Sequence, residues 1–109
     1  MPESQERGAL TEAVYYILLA LYEPMHGYGI MQYAAELSHG RVVLGPGTLY
    51  GAIATLLEKK WIEAASEGRD SRKKEYRITS VGKEIVSEEI GRLKELVENG
   101  EKITGRNGK

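Results

Sequence analysis

The sequence predicts a mainly α-helical fold with one small β-hairpin: a winged helix-turn-helix with an additional C-terminal helix. Three observations lead to it. Apolar residues recur at three- and four-residue steps in four separate stretches, as amphipathic helices require. Between the third and fourth of these, Trp61-Ile62-Glu63-Ala64-Ala65 and Glu75-Tyr76-Arg77-Ile78-Thr79 read as two strands. The run Arg69-Asp70-Ser71-Arg72-Lys73-Lys74 between them is basic, and the whole connection is too long for a tight turn.

Taken in order, residues 1–9 are mostly polar and are expected to be a flexible N-terminus. The winged helix-turn-helix occupies 10–79, a dimerisation helix 80–104 and a disordered tail 105–109. From Leu10 the spacing Leu10, Val14, Ile17, Leu18, Leu21 is helical, and Pro24 ends that helix. Its apolar stripe is wide, so burial on more than one side is expected. His26-Gly27-Tyr28-Gly29 reads as a break. A second helix follows, with Ile30, Met31, Ala34 and Leu37 inward and Gly40 just past its end. Val42-Val43-Leu44 reads as a stub strand.

The third helix starts at Pro46. Proline suits the first helical position because its missing N–H would be unpaired there in any case. Gly45 is then the N-cap, a weaker one than Ser or Asp. Leu49, Ile53, Leu56 and Leu57 form the core stripe. Thr79 is placed to cap the fourth helix, which carries Ile85, Val86, Ile90, Leu93, Leu96, Val97 and Ile103. Gly91 and Gly100 weaken it by about 1 kcal/mol each relative to alanine.

Composition narrows the function. A chain of 109 residues holds a modest core but not a deep enclosed pocket. It has no cysteine, hence no disulfide framework, thiolate nucleophile or zinc–cysteine finger, which fits a reducing cytoplasm. No signal peptide is visible. The apolar run from Val14 to Leu21 is far short of the roughly 20 residues that cross a bilayer, so no membrane partner is expected. His26 and His39 lack acidic or cysteine partners at metal-ligand spacing, so neither a metal nor a cofactor is expected. No Ser/His/carboxylate or phosphate-loop constellation points to an enzyme.

The net charge of −1 argues against a nucleic-acid partner, but it hides an uneven distribution. Between Arg69 and Arg77 five cations (Arg69, Arg72, Lys73, Lys74, Arg77) face only Asp70 and Glu75. From Lys83 to Glu101 the balance reverses: Glu84, Glu88, Glu89, Glu95, Glu98 and Glu101 stand against Lys83, Arg92 and Lys94. A basic turn and an acidic helix can point in different directions.

These residues suggest a DNA-docking surface. Gly47, Thr48, Gly51, Ala52, Thr55 and Lys59 lie away from the core stripe of the third helix. They are mostly small, so the helix can approach base edges closely, and Thr48 and Thr55 can hydrogen-bond bases or touch a thymine methyl. Tyr50 flanks them, within reach of phosphate or base. Arg69, Arg72, Lys73 and Lys74 would neutralise phosphates from the wing. The fourth helix carries more apolar surface than one hairpin can cover. A homodimer built from Leu10, Val14 and Leu18 with Val86, Ile90, Leu93, Leu96 and Val97 would bury it. Tyr15 and Tyr16 could then line a ligand cavity between subunits.

Several blocks, in order and spacing, resemble one known family. They are a Leu-Thr pair near the N-terminus, Met25-His26-Gly27-Tyr28-Gly29-Ile30, Pro46-Gly47-Thr48-Leu49-Tyr50 with Leu56 and Glu58, and Lys74-Glu75-Tyr76-Arg77-Ile78-Thr79 with Gly82. The sequence is similar to the PadR family of bacterial transcription regulators over residues 8–97. The single short C-terminal helix resembles its smaller subfamily. That resemblance implies a dimeric repressor on a pseudo-palindromic operator in double-stranded DNA; some members release DNA on binding a small-molecule effector. It also implies that the His-Gly-Tyr segment, with Tyr28 and Gln32, lies against the DNA backbone. From the residues alone, Tyr28 is equally a half-buried packing residue.

The chain departs from the pattern in places. A serine is usual where Gly45 stands. A glycine is usual where Lys60 stands, so Lys60 must either adopt a left-handed conformation or belong to a rearranged turn. Multidrug-sensing relatives carry a tryptophan on the C-terminal helix; here that helix has no aromatic residue, and Trp61 at the hairpin base is expected in the core. The rival to a DNA-binding regulator is a winged-helix protein-interaction module without sequence-specific DNA binding.

Overall fold

Thr11 opens the first helix. Its backbone is extended and its hydroxyl accepts the N–H of Val14 at 3.1 Å, pairing a donor that the first turn leaves orphaned. A computed structural model describes residues 8–65 and 74–105. The expectations for residues 1–7, for Arg69, Arg72 and Lys73, and for 106–109 lie outside the described residues. The elements are α1 (Glu12–Ala20), β1 (Met25–His26), α2 (Gly27–Leu37), α3 (Pro46–Glu58), β2 (Ile62–Ala64), β3 (Glu75–Ile78) and α4 (Ser80–Thr104). The class is the expected one: among the described residues there are four helices and a small antiparallel sheet, with strand order β1-β3-β2.

Four local readings change. The first helix begins two residues later than Leu10, after its Thr11 cap, and stops at Ala20, well before Pro24. The presumed break is mostly ordered structure. Met25 and His26 pair with Tyr76 and Glu75 as the third strand, and α2 begins directly at Gly27. Val42-Val43-Leu44 is not a strand; Val42 instead donates its N–H to the Ser38 hydroxyl at 2.9 Å.

The two helices of the helix-turn-helix end in the same way. At the end of α2, Gly40 donates back to the Ala35 carbonyl at 2.7 Å and His39 to that of Glu36 at 3.2 Å. At the end of α3, Trp61 donates to Leu56 at 3.1 Å and Lys60 to Leu57 at 3.0 Å. This is a Schellman closure, which needs one left-handed residue, usually glycine. Here His39 (φ 57°) and Lys60 (φ 66°) supply it. The left-handed alternative for Lys60 is therefore the one adopted, and it reverses the chain from α3 into β2.

The core lies where α1, α2 and α3 meet the sheet and the first turns of α4. Ile17, Leu18, Leu21, Ile30, Leu49 and Leu56 are fully buried. Each such side chain contributes about 1.5–3 kcal/mol relative to exposure. Two residues expected at a subunit interface are used up here. Leu18 and Val86 are 0% and 2% exposed within their own chain, so neither has surface left for a partner. Leu18 faces inward because both sides of α1 are covered, by α2 and by α4.

Thr79 caps α4 as expected. Its oxygen accepts the Gly82 N–H at 3.1 Å, while the hydroxyl donates towards the carbonyls of Lys60 (2.8 Å) and Trp61 (3.0 Å). Gly82 lets the helix press onto the Trp61 carbonyl and Ile78. Burial on α4 reaches Glu89 and then stops; from Ile90 on, its apolar side chains are exposed.

Candidate nucleic-acid interface

Local sequence makes α3 approachable. Pro46 takes its first turn, Gly45 is its N-cap, and no side chain caps the N-terminus. The first N–H groups and the positive end of the helix dipole therefore face outward, an arrangement suited to a phosphate. Behind this end the exposed residues are Gly47, Thr48, Tyr50, Gly51, Ala54, Thr55, Glu58 and Lys59. Ala52, expected on this face, is half-buried against the core, and Ala54 takes its place. The outward face is low and nearly uncharged until Glu58.

The start of α2 lies beside α3. Tyr28 is 61% exposed and Gln32 is exposed, which disfavours a packing role for Tyr28. The Tyr50 hydroxyl rests on Gly27, in space that a Cβ at that position would fill. Tyr50 therefore joins α3 to the first turn of α2, which His26 leaves without a side-chain cap. Tyr76 lies close by and is buried; burial, and secondarily Tyr50, pushes its phenol pKa up.

The wing strands pair Ile62 with Ile78, Glu63 with Arg77 and Ala64 with Tyr76. Arg77 donates to Glu63 at 2.8 Å, so this cation is engaged within the sheet. Lys74, just ahead of β3, is exposed. The Lys59 ammonium sits 5.3 Å from the centre of the half-buried Trp61 ring, a cation–π contact that parks it beside the end of α3.

The other end of the molecule presents a different surface. Leu93, Leu96, Val97 and Ile103 are 37%, 53%, 56% and 83% exposed on one long helix. With Tyr15 from α1, residues Ile90, Leu93, Lys94, Val97 and Glu98 line an open, mainly apolar groove of about 350 Å³. Tyr15 and Tyr16 pack edge to face with ring centres 6.0 Å apart, but only Tyr15 lines the groove. Leu10 and Val14 are half-buried against their own core. Among the described residues no group of three or more His, Cys, Asp or Glu could hold a metal, and no helix is long and apolar enough to cross a membrane.

Residues 16–88 match the model of the transcriptional regulator PadR-like family. The chain belongs to that family. PadR-like proteins are transcriptional regulators rather than enzymes. A PadR-like transcription factor from Bacteroides fragilis is 25% identical, with a TM-score of 0.64 over 94% of this chain and 97% of that one. A transcriptional regulator from Clostridium thermocellum shares the fold at 23% identity, with a TM-score of 0.64 over 89% and 92% of the two chains. An uncharacterised 37.1 kDa protein of a Streptomyces fradiae transposon is 35% identical over 81 residues. The chain spans only 22% of that relative's length.

The PadR-like match ends at Glu88, just where burial on α4 ends, so the exposed stripe lies beyond it. Sequence reasoning missed three features of this regulator. Tyr50 serves as a strut to Gly27; the pairing of an aromatic residue with a distant glycine carries no sequence signal. Lys59 lies over Trp61, a contact that depends on the left-handed Lys60. Glu89, counted among the acidic residues of the C-terminal helix, is buried. Its spacing from Val86 and Leu93 was the one signal for it.

Proposed function

We propose that this PadR-like regulator works as a homodimeric, sequence-specific DNA-binding protein of the cytoplasm, and as a repressor. The observation that carries the reading is the outward face of α3, where Gly47, Thr48, Gly51, Ala54 and Thr55 present small side chains behind an uncapped N-terminus. A major groove about 12 Å wide admits such a helix, with hydroxyls at the base edges. Tyr28, Gln32, Tyr50 and the wing cations Arg69, Arg72, Lys73 and Lys74 hold phosphates on either side, fixing register without reading sequence. The exposed stripe of α4 joins two copies, and occupancy of a pseudo-palindromic operator blocks transcription. An apolar effector seated at the Tyr15 groove would shift the spacing of the two recognition helices and release the DNA.

Operator selection from a random pool tests the reading. Thr48→Ala and Thr55→Ala should each relax preference at one position of a half-site. The expected loss is about 1 kcal/mol, at the low end for a base contact because a single hydroxyl is involved. Half-site centres should lie about 34 Å apart or at a multiple of that. Unchanged base preferences in both variants would remove α3 from sequence reading.

The wing should supply affinity with little discrimination. Replacing Arg72 and Lys73 together by alanine should weaken binding to all duplexes alike. It should also lower the slope of log affinity against log salt by about 0.9 for each phosphate that is no longer neutralised. An unchanged slope would mean that these cations do not touch the backbone. The rival interaction module draws support from the net charge of −1 and from glycine at position 45. Absence of any operator preference at physiological salt would favour it.

A further inference from the structure

Along α4, residues Val86, Glu89, Leu93, Leu96, Gly100 and Ile103 follow one another at alternating steps of three and four. That is the spacing of a helix–helix seam. The chain itself covers the first two positions and leaves the later apolar ones exposed. Glu89 is therefore the last seam position occupied within the protomer, and it is the charged one of the six.

A carboxylate that is only 2% exposed is a poor choice for stability, because its desolvation offsets most of what its partners return. Its geometry is directional, however. Oε2 accepts the backbone N–H of Leu10 at 3.3 Å, and both oxygens take the Arg92 guanidinium, at 3.0 Å to Nε and 2.5 Å to Nη2. That fork lies within α4, between residues one turn apart, and fixes the orientation of the carboxylate; the contact that crosses to the winged body is the one to Leu10. Leu10 immediately precedes Thr11, the cap of α1. Glu89 thus fastens the lead-in to α1 onto α4 at the point where the exposed seam begins. An apolar residue would fill the same space without selecting one register.

We propose that Glu89 is a register lock that sets how α4 sits on the winged body, and through it the half-site spacing that the dimer accepts. This rests on the dimeric DNA-binding reading. Each base pair added between half-sites moves them apart by about 3.4 Å and turns them by about 35°. A rigidly seated α4 accepts one spacing, and a loosely seated one accepts several. In this role Glu89 is a positioning residue that touches no DNA.

The test measures affinity for operators whose central spacer is lengthened or shortened by one and two base pairs, with amide exchange at Leu10 followed in parallel. Glu89→Leu should remain folded and dimeric and keep its affinity for the preferred operator. Its ratio of preferred-to-shifted affinity should approach unity, with exchange at Leu10 accelerated. A Glu89→Leu dimer that discriminates spacing as the natural chain does overturns the proposal. If that variant does not fold, Glu89→Gln keeps an oxygen for Leu10 but loses the ion pair. A reduced spacing ratio then supports the lock and an unchanged one overturns it. A natural chain that is monomeric, or that ignores operators altogether, removes the DNA reading first and the spacing role with it.

Discussion

Leu93→Glu is expected to yield a folded monomer that no longer holds a palindromic operator. Leu93 is 37% exposed in the protomer and lines the groove with Tyr15, Ile90 and Val97, so its replacement leaves the protomer core intact. In a two-fold seam each substitution counts twice, because the same patch serves both subunits. An unpaired carboxylate in desolvated surroundings costs several kcal/mol, roughly 3–5 when a buried charge is left without a partner. Losing the dimer removes the gain from simultaneous engagement of two half-sites, about 10²–10⁴ in affinity. Sedimentation at micromolar concentration and gel-shift titration measure the two effects. A Leu93→Glu protein that stays dimeric would move the interface off this stripe.

Gly82→Ala is expected to produce the largest loss of fold stability from a single methyl group. A Cβ there would stand 2.6 Å from Ile78 Cγ1 and closer still to the Trp61 carbonyl oxygen. That oxygen belongs to the backbone and is already held by the Thr79 N–H at 2.9 Å and by the Thr79 hydroxyl. It cannot retreat without uncapping α4 or opening the hairpin. Overpacking of this kind costs about 1–3 kcal/mol, and a fixed backbone neighbour places it at the upper end. For a domain of this size, that is a fall in melting temperature on the order of 10 °C. Thermal melts at matched protein concentration check it; a shift of only a degree or two would mean that α4 can lift from the hairpin without penalty.

The helices were legible because their signals are local. Pro46 at a first turn, Thr79 ahead of an apolar run and the Leu49–Ile53–Leu56 stripe each carry their meaning within a few residues. Lys60 was legible by contrast, as a side chain where the turn calls for glycine. Strand β1 was not, since two residues have no periodicity and Met25 finds its partner Tyr76 far along the chain. Val42-Val43-Leu44 misled for the converse reason: β-branched residues favour a strand only where a sheet edge can receive them. On the candidate site, the apolar positions of α1 and α4 were recognised, but sequence does not say which of them the chain keeps for itself. Leu18 and Val86 went inward while Leu93 and Val97 stayed out. The same ambiguity hid Glu89: among the glutamates of one helix, its spacing from Val86 and Leu93 is all that marks it as the buried one.

The point at which burial ends on α4 has a consequence for abundance. Past Glu89 the helix runs on to Thr104 with Leu96 and Ile103 more than half exposed. In the proposed dimer, the water-facing apolar surface of each protomer is removed by its copy, so the number of molecules in the cell enters the free energy of the folded, assembled form. Where subunits are scarce, operator occupancy would climb with the square of their concentration rather than in proportion to it. A gene controlled by such a protein would respond more steeply to small changes in how much of it is made.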